Sequence, residues 1–220
     1  MQKTFVMSWS GGKDSALAYY RAVLEGHVPL ALFTMFEEDG TKSRSHGLPI
    51  EVMEAQAERM GLPLVIGKAS WSGYEKEFIG QLKNFKAQGI DMGVYGDIDL
   101  QDHLEWVQKV SAEADIGVSH PLWQEPRKKL LEELIDEGFR AVITVVDTKR
   151  LDESFLGREF TRELIAELEA AGVDACGEEG EFHTMIVDGP IFVEPVPVQF
   201  GEKVRFGNYG ILEVKLHSEE

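Results

Sequence analysis

The sequence of 220 residues holds a single cysteine, Cys176. A disulfide framework requires pairs of cysteines, and Cys-rich zinc or iron–sulfur centres require several in one place. These kinds of site are therefore excluded. A lone cysteine is more often a small buried apolar side chain than a nucleophile, and we expect that role for Cys176.

Long apolar runs are also missing. No stretch approaches the roughly 18 consecutive apolar residues that a bilayer-crossing helix needs. Residues 1–3 lead straight into an apolar segment, without the charged start, apolar middle and cleavage site of a signal peptide. We therefore expect a cytoplasmic protein with no membrane association.

Basic residues are scarce, since 22 Lys and Arg stand against 39 Asp and Glu, for a net charge of −17 at pH 7. A field of this sign repels phosphate backbones, so a nucleic-acid partner is not expected. The one basic run, residues 127–129, suits the solvated face of a helix. A polyanionic ligand such as ATP would need a local cradle and magnesium to offset this background.

Strand-like and helix-like segments alternate along the first 120 residues. Strands are predicted at 4–9, 29–36, 62–66, 92–98 and 116–119, and helices at 14–25, 49–60, 74–88 and 100–114. This rhythm predicts an α/β fold with a parallel sheet covered by helices on both faces. Ligands of such sheets bind beyond the carboxyl ends of the strands, which draws attention to the loops after residues 9, 36 and 95.

The pattern loosens from about residue 121. Helices are predicted at 125–137 and 158–171, a strand at 140–146, and then strands interrupted by Gly and Pro up to residue 216. We therefore expect a nucleotide-binding domain at 1–120 and a smaller α+β domain at 121–220. Because no low-complexity linker separates them, the two should pack closely.

The most informative string is Ser-Gly-Gly-Lys-Asp-Ser at residues 10–15, between a predicted strand and a predicted helix. Gly11 and Gly12 let the backbone turn sharply and approach an anion without an intervening Cβ. The following helix offers free N–H groups and the positive end of its dipole to phosphate oxygens. A glycine turn before a capped helix is the alternative, and it explains a bare Gly-Gly pair better than the full string.

The polar side chains of this string also suit a nucleotide. Ser10 and Ser15 add hydroxyl donors, and Lys13 adds a cation. Asp14 is placed either to cap the helix or to reach a magnesium ion bound to the phosphates. The string is not a Walker loop; it resembles the SGGxDS loop of the PP-loop superfamily of ATP pyrophosphatases. That resemblance implies ATP cleavage between the α- and β-phosphates.

A second cluster, Cys-Gly-Glu-Glu-Gly-Glu-Phe-His-Thr at residues 176–184, concentrates carboxylates beside a histidine. Neighbouring carboxylates repel each other unless they meet a metal, a cationic group or a proton. Glu178, Glu181 and His183 are therefore candidate catalytic residues, with His183 as a base or an orienting donor. Composition alone is equally compatible with an acidic, solvated loop before the last strands.

The segment GEEGEFHT resembles the GE-N-GE-Y-HT signature of the diphthine–ammonia ligase family, a branch of the PP-loop superfamily. Strings similar to that family occur in the same order at 45–47 (SHG), 95–98 (YGDI), 120–123 (HPLW) and 151–158 (LDESFLGR). Together they span residues 10–192. The chain departs from the pattern at Glu179, where asparagine is usual, and at Phe182, where tyrosine is common.

The resemblance implies a HUP-like, PP-loop nucleotide-binding domain and a smaller C-terminal domain, with the active site between them. It also implies that ATP adenylates a carboxylate and that ammonia then displaces AMP to give an amide, with ATP and Mg2+ as cofactors. The acceptor would be modified elongation factor 2 in an archaeal or eukaryotic host, and otherwise a small molecule. The sequence leaves open whether the chain forms a homo-oligomer.

Two single residues join the candidates. Asp97 ends a predicted strand at the ligand-binding edge, where a carboxylate can hold substrate or metal; the alternative is a cap for the helix at 100–114. His46 follows the loop after the second strand and could contact the nucleotide, whose adenine we expect near residues 32–36. A surface histidine is equally compatible with this position.

Two other functions remain open on sequence grounds. One is a PP-loop enzyme that acts on a different small carboxylate, such as a cobalamin-related one. The other is a non-catalytic ATP or AMP sensor, which would need the phosphate loop but not the acidic segment with its histidine.

Overall fold

A computed structural model describes residues 1–44 and 46–217. Five parallel strands form a first sheet in the order β3-β2-β1-β4-β5. They are β1 (Thr4–Ser8), β2 (Val28–Phe36), β3 (Leu64–Lys68), β4 (Met92–Val94) and β5 (Gly117–Ser119). The chain runs outward from β1 to β3 and then returns to pair β4 with the other side of β1. The strand order therefore switches between β1 and β4, and ligands of such sheets bind at this point.

Helices cover both faces of this sheet, as expected for parallel strands. They are α1 (Lys13–Leu24), α2 (Ile50–Met60), α3 (Tyr74–Ala87) and α4 (Gln101–Glu113). Residues of α3 and α4 share one apolar core with alternate residues of β1 and β2, such as Val6 and Phe33. The opposite face of the same strands, including Phe5 and Leu32, packs in a core that contains α1 and α2.

A second sheet is antiparallel, in the order β7-β6-β9-β8. Its strands are β6 (Arg140–Asp147), β7 (Phe182–Asp188), β8 (Val198–Phe206) and β9 (Tyr209–Leu216). Helices α5 (Arg127–Asp136) and α6 (Arg162–Ala170) and a short 3-10 helix (Glu153–Phe155) complete this part. Its apolar side chains belong to the same core as α1 and α2, so one continuous core joins both sheets.

Strand β7 lies directly against the loop after β1. The Ile186 amide donates to the Gly11 carbonyl at 2.9 Å, and the Lys13 amide donates to Thr184 Oγ1 at 3.2 Å. The buried Gln56 side chain donates to both carbonyls, Gly11 and Ile186. Hydrogen bonds between segments about 170 residues apart thus fix the relative position of the two parts.

The structure confirms the predicted α/β class with an α+β C-terminal part, and two predicted boundaries are wrong by four residues. The strand predicted at 92–98 ends at Val94, because the chain then turns across the start of α1: a Cβ at Gly96 would lie 2.9 Å from the Asp14 carbonyl carbon. The helix predicted at 158–171 begins at Arg162, because the Thr161 hydroxyl accepts from the Leu164 amide and caps it there.

No helix in the described part of the chain is long and apolar enough to cross a bilayer.

Candidate active site

A cleft of about 430 Å³ opens at the carboxyl ends of β1 and β4, where the strand order switches. The loop after β1, the loop after β4 and residues 176–184 form most of its lining, and His46 from the loop after β2 and His103 from α4 add to it. The polar lining residues include Ser10, Lys13, Asp14, Ser15, His46, Asp97, His103, Glu178, His183 and Thr184. The fold thus brings most of the candidate residues into one place.

The loop after β1 is held in shape by its own hydrogen bonds. The hydroxyls of Ser10 and Ser15 lie 3.0 Å apart, and Ser15 Oγ donates to the Gly12 carbonyl at 3.0 Å. Gly11 has φ +81°, and a Cβ there would lie 2.7 Å from Leu48 Cδ1, so both the turn and the packing require glycine. Gly12 is the N-cap residue of α1, and the Lys13 amide in the first turn donates to Thr184 Oγ1. Lys13, Asp14 and Ser15 of this turn line the cleft, so the positive dipole end of α1 favours an anion there.

His46 packs directly over this loop. Its Nδ1 lies 2.6 Å from the Thr184 carbonyl, an acceptor, so Nδ1 carries the proton. A Cβ at Gly12 would lie 2.2 Å from His46 Cε1, so this contact exists only because residue 12 is glycine. Burial lowers the pKa of His46 to about 4, which keeps the ring neutral near pH 7.

Lys13 and Asp14 form an ion pair inside the cleft. Lys13 Nζ lies 2.9 and 2.8 Å from the two Asp14 carboxylate oxygens. Burial by itself would lower the pKa of Lys13, but the charges of Asp14 and Glu178 overcome it and raise the pKa above its ordinary value. The cleft therefore contains a permanent cation at the start of α1.

Glu178 is the carboxyl group of the second cluster that faces this cation. Burial, followed by repulsion from Asp14, raises the pKa of Glu178 to about 7. A carboxyl group that titrates near neutral pH can both accept and return a proton under working conditions. Among the candidates in the cleft, Glu178 is the best suited to proton transfer.

His183 packs against His46, with ring centroids 4.8 Å apart and the rings tilted by 33°. Burial, with a further contribution from His46, lowers the pKa of His183 to about 3. A neutral imidazole with so low a pKa is a weak base. It suits the orienting role proposed from the sequence better than the role of a base.

Glu181 lies apart from the cleft, although it is only three residues from Glu178. Its buried carboxylate accepts from the Glu179 amide at 3.1 Å and lies 3.6 Å from Arg150 Nη1. Glu179 is exposed, and its carboxylate also faces Arg150, at 3.3 Å. The three carboxylates of the segment therefore occupy three different environments.

Asp97 lies in the cleft between two histidines. Its carboxylate oxygens are 3.3 Å from His103 Nδ1 and 3.4 Å from His120 Nε2. Burial alone would raise the pKa of Asp97, but these two histidines lower it to about 2 and keep it ionised. The alternative role as a helix cap is wrong, because Leu100 occupies the cap position of α4. The sequence analysis missed His103, which lies in the first turn of α4.

A second chamber of about 500 Å³ adjoins the cleft and shares Ser8, Tyr95, Asp97 and His103 with it. Its other walls are largely aromatic, formed by Trp71, Tyr74, Phe78 and Trp106. The Arg44 guanidinium lies over the Trp71 ring, 4.5 Å from its centroid. The sequence analysis missed this chamber too. The pattern that could have indicated it is the pair of aromatic residues at the start of α3, Tyr74 and Phe78.

The carboxylates of the cleft suit a magnesium ion that is also bound by a nucleotide better than a metal ion that protein side chains alone would hold. Within residues 1–44 and 46–217, no three His, Cys, Asp or Glu side chains gather as a metal site. Asp14 and Glu178 both line the cleft, and Mg2+ commonly takes one or two carboxylates together with substrate phosphates.

Cys176 is buried, and burial raises its pKa to about 12, so it remains an unreactive thiol as expected. Ser45, part of the SHG string, lies outside the described residues.

Family models match nearly the whole chain. The diphthamide synthase N-terminal domain matches residues 2–118, and the diphthamide synthase C-terminal domain matches residues 126–219. The chain belongs to the diphthamide synthase family. The resemblance read from the GEEGEFHT and SGGKDS strings is thereby confirmed.

Curated relatives named diphthine–ammonia ligase agree with this assignment. The Danio rerio protein is 30% identical, covering 96% of this chain and 94% of the relative. The Rattus norvegicus and Homo sapiens proteins are 28% and 27% identical, each covering 89% of this chain and 82% of the relative. A solved structure described as a predicted subunit of tRNA methyltransferase from Methanocaldococcus jannaschii DSM has a TM-score of 0.47 at 17% identity, covering 86% of this chain and 97% of its own. A similarity of that size supports no functional inference.

Proposed function

We propose that this protein is an ATP-dependent ligase that converts a carboxylate into an amide with ammonia, releasing AMP and pyrophosphate. By analogy with the names of its relatives, the acceptor is the diphthine side chain of modified elongation factor 2. One observation carries the proposal: the Lys13 amide donates to Thr184 Oγ1, which places the phosphate loop against the acidic segment in a single cleft.

The polyphosphate of ATP is assigned to residues 10–15. The positive dipole end of α1, the hydroxyls of Ser10 and Ser15 and the charged Lys13 all favour an anion there. The neutral ring of His46 is fixed by its hydrogen bond to the Thr184 carbonyl and packs against Gly12 of this loop.

The nucleobase is assigned to the aromatic chamber next to the cleft. Aromatic side chains offer flat apolar faces to a planar ring, and base–aromatic stacking is worth about 1–3 kcal/mol. The chamber lies over β2, because its wall residue Phe78 packs on Phe33, with ring centroids 5.0 Å apart. This position is compatible with the adenine site predicted near residues 32–36.

The reaction follows from these positions in two steps. First, an acceptor carboxylate oxygen attacks the α-phosphorus, the bond to the β-phosphate oxygen breaks, and Lys13 with the start of α1 stabilises the leaving pyrophosphate. Second, the nitrogen of ammonia attacks the acyl carbon, the bond to the AMP oxygen breaks, and Glu178 accepts the proton that the nitrogen loses. His183 orients the reacting groups, and ionised Asp97 fixes His103 at the edge of the cleft.

Asp14 would hold Mg2+ together with the phosphates, which leaves Glu178 free to accept a proton. The ion would supply charge neutralisation for the pyrophosphate that leaves. We also propose that the chain consists of two domains that meet near residue 120. Residues 1–120 bind ATP, and residues 121–220 contribute Glu178 and His183.

The test is a product assay with ATP, ammonium chloride and elongation factor 2 that carries diphthine. We expect AMP and pyrophosphate in amounts equal to the amide formed, and no turnover with elongation factor 2 that lacks diphthine. ADP and phosphate as products would contradict the mechanism. ATP binding without any turnover would favour the sensor, and turnover with a small carboxylate alone would favour the alternative acceptor.

A further inference from the structure

Helix α5 begins with charges of the sign that the start of a helix disfavours. Its first three residues, Arg127, Lys128 and Lys129, are all basic, although the positive end of the helix dipole lies there. Lys128 and Lys129 are well exposed, on the solvated face expected for this run. Arg127 is only 30% exposed and turns to two carboxylates instead. A position that violates a local preference is expected where it serves another part of the molecule.

The Arg127 guanidinium bridges the carboxylates of Asp99 and Asp174. Its Nε and Nη2 donate to the two Asp99 oxygens, each at 2.7 Å, and its Nη1 donates to Asp174 Oδ2 at 2.7 Å. The rigid fork of an arginine can make such a bridge, whereas the compact ammonium of a lysine cannot. Asp99 follows Asp97 in the loop after β4, and Asp174 precedes residues 176–184. Arg127 therefore joins two walls of the cleft.

Asp174 extends this bridge to Glu178. Its Oδ1 accepts from the Cys176 amide and its Oδ2 from the Glu178 amide, both at 3.1 Å. Its main-chain carbonyl accepts from the Gly177 amide at 2.9 Å. One carboxylate thus closes the turn from which Glu178 enters the cleft. The oxygen that holds the Glu178 amide is also the oxygen that Arg127 holds.

The alternative is an ordinary surface ion pair. Such pairs contribute little to stability, and the chain has others of the same geometry, such as Arg140 with Glu159. The pair of Arg127 and Asp174 differs from them because it ends at the amide of a candidate catalytic residue. Its place in the structure therefore suits the control of the position of Glu178.

We propose that Arg127 is a positioning residue for the second step of the reaction, holding Glu178 through Asp174 at a fixed place beside the loop after β4. The inference rests on the proposed ligase function. When ammonia attacks the acyl carbon, the Glu178 carboxylate has to lie within hydrogen-bond distance of the nitrogen to take its proton. A displacement of about 1 Å can slow such a step about 100-fold.

The test separates the two steps on elongation factor 2 that carries diphthine. The acyl-adenylate is formed first without ammonium, and amide formation is then followed in a single turnover after ammonium chloride is added. Arg127→Gln should slow amide formation about 10- to 100-fold while pyrophosphate release in the first step stays near wild type. Arg127→Lys keeps the charge but cannot bridge both carboxylates, so it should recover only part of the rate.

A double variant shows whether Arg127 acts through Glu178. If it does, Arg127→Gln in the Glu178→Gln background should add little to the loss that Glu178→Gln causes alone. Losses that multiply would mean general damage and would overturn the inference. Arg140→Gln is the matched control, because it removes a two-pronged pair with Glu159 outside the cleft and should keep wild-type rates.

Hydrogen exchange of the Glu178 amide gives a readout that does not depend on turnover. By NMR, exchange should be faster in Arg127→Gln than in wild type and unchanged in Arg140→Gln. Asp174→Asn, which weakens the same bridge, should act in the same direction and decides if Arg127→Gln does not fold.

The outcomes distinguish this inference from the proposed function. Wild-type amide formation and wild-type exchange in both Arg127→Gln and Asp174→Asn would overturn the inference and leave the ligase function intact. A wild-type protein that makes no amide would overturn the proposed function and, with it, the role of Arg127 in proton transfer.

Discussion

Two short polar segments meet in the cleft, and they differ in how their residues are used. Residues 10–15 act as one unit: Ser10, Lys13, Asp14 and Ser15 all line the same cleft. Residues 176–184 are divided, since Glu178 lines the cleft while Glu181 is buried against Arg150. Charge density in a sequence therefore does not by itself predict a shared site.

The difference has a geometric origin. The first segment wraps the start of a helix, where successive amides and side chains converge on one point beyond the helix end. The second is a loop that enters a strand, where successive side chains point to opposite sides. The positive φ of Gly177 and Gly180 turns the chain twice within it, which separates Glu178 from Glu181.

The largest effect expected from this comparison distinguishes the two glutamates. Glu178→Gln removes the carboxyl group that titrates near neutral pH, so amide formation should fall about 100-fold, the scale of a lost acid–base group. Glu181→Gln keeps an oxygen acceptor for the Glu179 amide and should stay within a few-fold of wild type. Single-turnover amide formation measures both. Equal losses in the two variants would show that the segment acts as one unit after all.

The next effect concerns the loop after β1. Lys13→Ala removes a buried cation from the phosphate site, and a charged hydrogen bond is worth about 1.5–3 kcal/mol. ATP affinity should therefore fall about 10- to 150-fold, as measured by calorimetry. Lys128→Ala is the matched control, because that exposed lysine lies outside the cleft and pairs with Glu169 on the surface. Unchanged ATP affinity in Lys13→Ala would remove the phosphate assignment.

The sequence predicted the parallel sheet and the glycine turn before α1 because both depend on local patterns. Strand and helix periodicity, and the glycines before α1, are properties of neighbouring residues. It did not predict that Glu181 leaves the cleft or that His103 lines it, because those positions depend on the turn at Gly180 and on the docking of α4. The aromatic chamber arises from contacts between distant segments, which a single sequence does not reveal.

A smaller effect should appear in the pH dependence of stability. The folded-state pKa values of His46 and His183 lie near 4 and 3, below the ordinary 6.5. The unfolded chain therefore binds more protons as the pH falls from about 6.5 to 3, and the free energy of unfolding should decrease across that window. The raised pKa of Glu178 acts in the opposite direction between about 7 and 4.5.

Urea denaturation at pH 7 and pH 5 isolates the histidine contribution. His183→Asn lacks the titrating ring but retains Glu178, whose contribution therefore cancels when the two proteins are compared. The loss of stability between the two pH values should be smaller in His183→Asn than in wild type. An equal or larger loss in the variant would mean that His183 is not held neutral in the folded protein.

The most direct test of the account is a crystal structure with Mg2+ and an ATP analogue that resists α,β-cleavage. We expect the β- and γ-phosphates within hydrogen-bond distance of Ser10, Ser15 and the start of α1. The α-phosphate should face Glu178 and His183. Polyphosphate bound away from residues 10–15, or an α-phosphate turned away from Glu178, would contradict the claim that these two segments form one active site.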